Sequence, residues 1–269
     1  ISNANQYVDR PEDAALVLNT PFSLIRTIGK NVFVIPDYFQ EDQLAAIYSP
    51  VHQVVSDSIM PKKKNVVIMI VESFGSEYIG ALNDYAGYTP FLDSLISQSL
   101  TWEYSFGNGR KSIDGMPSVL SSIPMFVEPF FLTPASVNDV GGIARELNKE
   151  GYYSAFFHGA ENGSMGFQAF ARTTGFQDYF GRTEYNQDKR FKGDEDFDGT
   201  WAIWDEPFMQ YYALTMGEFK EPFVSAIFTA SSHHPYTIPA NAGESTPPAS
   251  RRFTISLKVT AGFFLCGCF

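Results

Sequence analysis

Residues 61–73 read PKKKNVVIMIVES. A basic, polar entry gives way to an unbroken apolar run, Val66 to Val71, and then to Glu72. An apolar run this short, rich in β-branched residues, predicts a strand buried on both faces, as in parallel sheets. Glu72 would then project from the carboxyl end of that strand. A carboxylate in such a place suits a divalent cation. Taken alone, such a residue is more often a surface glutamate at a loop start.

Working outward, two further stretches carry the same kind of run. YYSAFFHG, residues 152–159, predicts a second buried strand, and Phe223 to Thr229 predicts a third that opens into SSHHPY. Helical patterns lie between them. TPFLDSLISQSL has apolar residues at helical spacing, with Thr89 as candidate N-cap and Pro90 in the first turn. A helix is expected from the NGRKSIDGMPS stretch through Leu120, and another across VNDVGGIARELNKEGY. Strands alternating with helices predict an α/β fold with a largely parallel sheet. In such sheets ligands sit beyond the carboxyl ends of the strands. Glu72, His158 and His233 each fall just past a predicted strand, which points to one shared site.

The totals narrow the function. With 269 residues, 44% of them hydrophobic, the chain can bury a full core. Its 25 Phe and 14 Tyr argue against disorder. A net charge of −11 disfavours nucleic acid as a partner, because phosphate contacts along a strand need a basic face. It leaves open a small anionic substrate held by a metal or a local basic cluster. The two cysteines, Cys266 and Cys268, form no disulfide framework. No apolar run reaches the ~18 residues of a membrane span, and no signal peptide is visible. The chain starts at Ile1 and reads as a piece of something longer.

The organisation is read in three parts. Residues 1–61 form an arm or linker, with short helices at NTPFSLIRTIG and EDQLAAIYSPV. Residues 62–240 form the main domain. Residues 241–269 are atypical: one acidic residue, Glu244, both cysteines and no helical periodicity. They read as a terminus that does not continue the domain, such as a frameshifted end.

Ser112 follows a glycine turn at the expected start of a helix, with Arg110 and Lys111 beside it. A helix N-terminus favours anions through its free N–H groups and dipole. A serine there commonly caps the helix. It can also be a nucleophile, given a metal or base to activate it. Asp114 is either a first-turn carboxylate suited to the dipole or a residue that orients its neighbours. His233 and His234 are an adjacent pair at a strand end; a lone histidine such as His158 is more often structural. Asn162, Gly163 and Ser164 are candidates to line a polar pocket.

Taken in order, NVVIMIVESFGSEYIG, TPFLDSLISQSLTWEYSFGNGRKSIDGMPSVLSSIP, YYSAFFHGAENGSMGF and TASSHHPYTIP resemble the sulfatase-type catalytic domain of the lipoteichoic acid synthase family, within the alkaline phosphatase superfamily. The resemblance implies an alkaline-phosphatase-like sandwich around a mostly parallel sheet, with its C-terminal part missing. It implies that Glu72 and Ser112 hold a divalent cation, usually manganese, with magnesium or zinc as alternatives. Ser112 matches the nucleophile, a threonine after a lysine in the family; here Lys111 precedes it. Asp114 matches an aspartate two residues beyond. His233 matches the substrate-binding histidine of a Ser-Asn-His-x-Pro motif. With Lys111, Asp114, His158 and Asn162, His233 makes up the expected substrate-binding set.

The implied activity is transfer of a phosphoglycerol- or phosphoethanolamine-type head group from a lipid-linked donor to an envelope glycan or lipid acceptor. The implied location is the bacterial cell membrane, reached through segments upstream of Ile1, with the catalytic domain outside the cytoplasm. A sulfatase- or phosphodiesterase-type hydrolase and a non-catalytic binder of an envelope polymer are the alternatives. Ser112 is followed by Ile-Asp-Gly and not by x-Pro-x-Arg, which disfavours sulfate ester hydrolysis.

Two departures from the family stand out. Met165 and Phe167 fall where the family has a tryptophan and an arginine that hold glycerol phosphate. The Asp-His pair that completes the family's metal site is missing, with no histidine after His234. From that absence the chain is expected to bind metal poorly and to be inactive by itself.

Overall fold

A computed structural model describes residues 7, 14–28, 38–49, 62–85, 87, 89–102, 105, 107–109, 111–125, 129–130, 133–237 and 239. Most of the expected 1–61 arm, and all of 241–269, lie outside the described residues, as does Arg110.

In chain order the helices α1 (Ala14–Val17), α2 (Thr20–Thr27) and α3 (Glu41–Ile47) precede strand β1 (Val66–Ile70). Helices α4 (Pro90–Ile96), α5 (Ser112–Ser121) and α6 (Ile143–Lys149) lead to β2 (Tyr153–His158). Then follow α7 (Phe167–Thr173), β3 (Asp178–Phe180), α8 (Arg182–Gln187), α9 (Asp205–Met216) and β4 (Phe223–Phe228). The four strands form one sheet in the order β1-β4-β2-β3, and every pairing is parallel.

Side chains of a strand alternate between sheet faces, and the core divides accordingly. Phe156, Ala226 and Phe228 point to one face, against Met116 and Leu120 of α5, Ala144 of α6, and Phe167 and Phe170 of α7. Phe157 and Ile227 point to the other, against Tyr185 of α8 and Phe208, Tyr211 and Tyr212 of α9. Many of the aromatic residues are spent here. Phe156 stacks on Tyr179 with centroids 5.7 Å apart, and Phe157 on Phe180 at 4.5 Å. The result is a three-layer α/β/α domain.

Three local expectations need correction. The β1 run is a strand, but none of its five residues is fully buried, and Val67 is 45% exposed. The apolar run specified the strand; a place at the sheet edge leaves it partly uncovered. The helix expected across VNDVGGIARELNKEGY begins only at Ile143. Gly142 before it is extended, and a Cβ there would come within 2.9 Å of both Ser121 and Thr174, so Gly142 is a close-packed entry to the helix and not part of a helical turn. Thr89 precedes α4, but its hydroxyl lies 3.0 Å from the Asp93 carboxylate and bonds no backbone N–H of the helix. Strand β3 and helices α7, α8 and α9 had no counterpart in the sequence reading.

Candidate active site

The site is built on the carboxyl ends of β1 and β4, which are joined side by side. The Thr229 N–H donates to the Ile70 carbonyl at 3.0 Å, and the Thr229 hydroxyl accepts from the Glu72 N–H at 2.9 Å. These two bonds fix the backbone at Glu72. Its carboxylate then receives two hydroxyls. Ser73 Oγ donates to Oε1 at 2.8 Å, and Ser112 Oγ donates to Oε2. Ser73 sits in the left-handed region, at φ +50°. Such a conformation costs a non-glycine residue about 1 kcal/mol or more and needs surrounding structure to hold it.

Ser112 is the first residue of α5, and Lys111 occupies the extended N-cap position. The capping reading of Ser112 therefore does not hold: its hydroxyl reaches across to Glu72 instead of back to its own helix. The Lys111 side chain is exposed, and its carbonyl accepts the N–H groups of Asp114 and Gly115. Asp114 lies one turn into the helix, only 3% exposed. Neither carboxylate oxygen has a hydrogen-bond partner among the described residues. Gly109, at φ +133°, packs over it so tightly that a Cβ would fall 2.4 Å from that of Asp114. Only glycine fits that turn.

His158 closes β2. Its Nδ1 donates to the Phe228 carbonyl at 3.0 Å, which leaves Nε2 as the free ring nitrogen. Burial lowers its pKa; the Phe228 carbonyl and the charge of Glu72 oppose that shift. Phe167 packs on the His158 ring at 4.9 Å and is fully buried, so at that position the side chain supports the histidine. Met165 is 42% exposed, at φ +49°.

His233 lies in the loop after β4, and that loop is held from beneath by a residue the sequence reading missed. Asp205 begins α9 and is buried. Its Oδ1 accepts from the Ala230 N–H at 2.8 Å, its Oδ2 from Ser231 N–H at 3.0 Å, and its own N–H donates to Ser231 Oγ at 2.7 Å. The Asp-Glu-Pro start of α9 signals a helix N-terminus, but nothing local signals a clamp on a loop 25 residues away.

Asn162 is engaged elsewhere. Its amide nitrogen lies 2.9 and 3.1 Å from the Glu184 carboxylate oxygens, and its Oδ1 accepts from the Thr183 N–H. That arrangement ties the loop after β2 to the start of α8. The structure thus brings Glu72 and Ser112 into direct contact, and the charge of Glu72 is felt at His158. His233 stands at the same end of the sheet, and Asn162 is occupied in a structural network.

Glu72 and Ser112 offer two adjacent oxygen donors, the type that hard divalent cations prefer. Such cations are often held by one or two carboxylates, with substrate phosphate and water filling other positions. The pair fits that pattern in part. Among the described residues no group of three or more His, Cys, Asp or Glu side chains is placed to hold a metal.

Residues 64–258 match the sulfatase family. The chain belongs to that family. This sulfatase-family chain is 24% identical over 228 residues to the lipoteichoic acid synthase-like protein YvgJ of Bacillus subtilis (strain 168), covering 81% of this chain and 36% of YvgJ. Its fold is similar to that of an alkaline phosphatase superfamily protein from Vibrio parahaemolyticus, with TM-score 0.65, 24% identity, and coverage of 77% of this chain and 50% of the other. The lipoteichoic acid synthase LtaP of Listeria monocytogenes gives TM-score 0.64 at 22% identity, covering 76% and 50%. The sulfatase-family chain therefore spans between about a third and a half of the length of these relatives. The parallel sheet with helices on both faces is the alkaline phosphatase superfamily fold.

Proposed function

We propose that this sulfatase-family domain transfers a phospho head group, of the phosphoglycerol or phosphoethanolamine type, from a membrane lipid to an envelope acceptor through Ser112. The contact of Ser112 Oγ with Glu72 Oε2 carries the reading. The hydroxyl is directed at a strand-end carboxylate and sits at the N-terminus of a ten-residue helix. That end stabilises an incoming phosphoryl oxygen. Similarity to a lipoteichoic acid synthase-like protein supports a phosphoryl substrate over a sulfate ester.

In the first step Ser112 Oγ attacks phosphorus, and Glu72 Oε2 is placed to receive the hydroxyl proton. The bond to the diacylglycerol oxygen breaks, that oxygen takes up the proton Glu72 received, and a phosphoester remains on Ser112. An acceptor hydroxyl then attacks the same phosphorus, gives its proton to Glu72, and the departing Ser112 oxygen takes that proton back. His233 orients the phosphoryl group from the β4 side. Glu72 and Ser112 would hold a divalent cation, manganese with magnesium or zinc as alternatives, and that ion would offset charge on the phosphoryl oxygens and ease loss of the hydroxyl proton. With two donors among the described residues, the chain by itself is expected to bind the cation weakly and to turn over slowly.

The reaction belongs at the outer face of a bacterial cell membrane, where lipid-linked donors and envelope acceptors meet. No helix among the described residues is long and apolar enough to cross a membrane. The test is diacylglycerol release from phosphatidylglycerol vesicles, and from phosphatidylethanolamine vesicles, in excess manganese. Ser112→Ala is expected to reduce release at least about a thousandfold, and Ser112→Thr to retain it. Equal release by Ser112→Ala and the unaltered chain would overturn the reading.

A further inference from the structure

Beyond the Glu72–Ser112 pair, a second built feature occupies the same end of the sheet. Trp201 and His233 face each other with ring centroids 4.4 Å apart and planes at 55°. One acceptor fixes both. The His234 carbonyl receives Trp201 Nε1–H at 2.7 Å and lies 2.8 Å from His233 Nδ1. With Nδ1 donating there, Nε2 makes no part of that bond, and in the imidazolium form its N–H can donate to a phosphate oxygen.

Trp201 is held from its other side as well. Asp198 Oδ1 accepts the N–H groups of Thr200 and Trp201, each at 2.7 Å, and that of Ala202 at 3.2 Å. Ala202 then bridges to Ala160, and the Ile203 N–H donates to the Gly159 carbonyl at 2.9 Å. The turn therefore lies against the residues that follow His158 at the end of β2. It presents Trp201 beside the β4 loop. A large aromatic ring fixed this way costs little conformational entropy when it meets a ligand. Trp201 is nevertheless 45% exposed. Core packing does not explain an aromatic residue whose backbone and indole N–H groups are both bonded while its side chain stays partly uncovered.

We propose that Trp201 is a specificity-determining residue that packs on the C–H-bearing part of a phosphate ester's head group while His233 Nε2 addresses the phosphate. The ligand class is a small organophosphate, as opposed to bare phosphate. The inference rests on the transferase reading for its ligand, but not on turnover.

Equilibrium binding to the unaltered chain and its variants tests it, with sn-glycerol 3-phosphate, phosphoethanolamine and inorganic phosphate as probes. The unaltered chain is expected to bind the two esters at least about fivefold tighter than inorganic phosphate. Trp201→Leu keeps bulk without an aromatic face. It is expected to abolish that preference and leave inorganic phosphate binding unchanged. Trp201→Phe keeps a face and is expected to keep most of the preference. If Trp201→Leu does not fold, Trp201→Phe decides by quenching. Ester-induced quenching of tryptophan fluorescence in the unaltered chain must then disappear in Trp201→Phe, where Trp102 and Trp204 remain. An ester preference that survives Trp201→Leu, quenching that survives Trp201→Phe, or no preference at all overturns the proposal. Head-group release that Ser112→Ala leaves unchanged, beside an ester preference that Trp201→Leu removes, condemns the transferase reading and leaves this one standing.

Discussion

Strands β1 and β4 lie side by side, in register, with similar apolar sequences, VVIMI and FVSAIF. They have different surroundings. Every residue of β4 is buried, and none of β1 is. The loops beyond them differ in the same way. After β4 the chain is clamped by three bonds to Asp205. After β1 it holds Glu72 by one backbone bond to Thr229, and the carboxylate faces Ser112. The interior strand gives rigidity, and the edge strand gives access. A nucleophile and its partner carboxylate need both: a fixed backbone and a carboxylate a substrate can approach.

The largest effects on stability are expected on the β4 side. Ile227→Ala, at a fully buried position, should cost about 3 kcal/mol, whereas Val67→Ala on β1 should cost under about 1 kcal/mol. Urea unfolding midpoints of the two variants check this, and equal losses would mean that β1 is as well covered as β4. Asp205→Ala should cost about 3 kcal/mol, because it strands two buried N–H groups. Glu72→Ala should cost less than about 1 kcal/mol while abolishing head-group release, since the bond that fixes its backbone does not involve the side chain. The same unfolding series, paired with the release assay, separates the clamp from the reactive carboxylate.

Gly109→Ala comes next, at about 2 kcal/mol. It combines positive φ with overlap on Asp114. Its unfolding midpoint tests whether that turn is as closely packed as the contact implies.

The smallest effect is a pH dependence at His158. Burial lowers its pKa in the folded state. The folded protein therefore holds fewer protons than the unfolded chain once pH falls below the unfolded value of about 6.5. The neutral histidine is free of that penalty above this value. Stability then falls as pH drops through it, until the folded-state pKa is reached. His158→Gln should flatten the stability profile between neutral and mildly acidic pH, and an unchanged slope would assign the acid sensitivity to other groups.

Much of this was legible in the sequence because it is local. Continuous apolar runs marked β1, β2 and β4, and strand-end positions marked Glu72, His158 and His233. Side-chain burial of β1 was not legible, because an apolar run does not say whether it lies inside a sheet or at its edge. The Asp205 clamp and the Trp201–His233 pair were missed because both join segments 25 or more residues apart. Ser112 illustrates the limit most clearly. A serine at a helix start reads as a cap, and only the parallel pairing of β1 with β4, and the placement of α5 against them, turns its hydroxyl toward Glu72. Asn162 shows the same limit: its side chain bonds Glu184 and Thr183 of α8, partners 22 and 21 residues away that the local sequence does not reveal.

The most direct test of the central claim is intact-protein and peptide mass analysis after incubation with phosphatidylglycerol vesicles and manganese. The account predicts a glycerophosphate ester on Ser112 that is absent from Ser112→Ala and from Glu72→Ala. Head-group release without any adduct on Ser112, or an adduct that persists in Ser112→Ala, would contradict it.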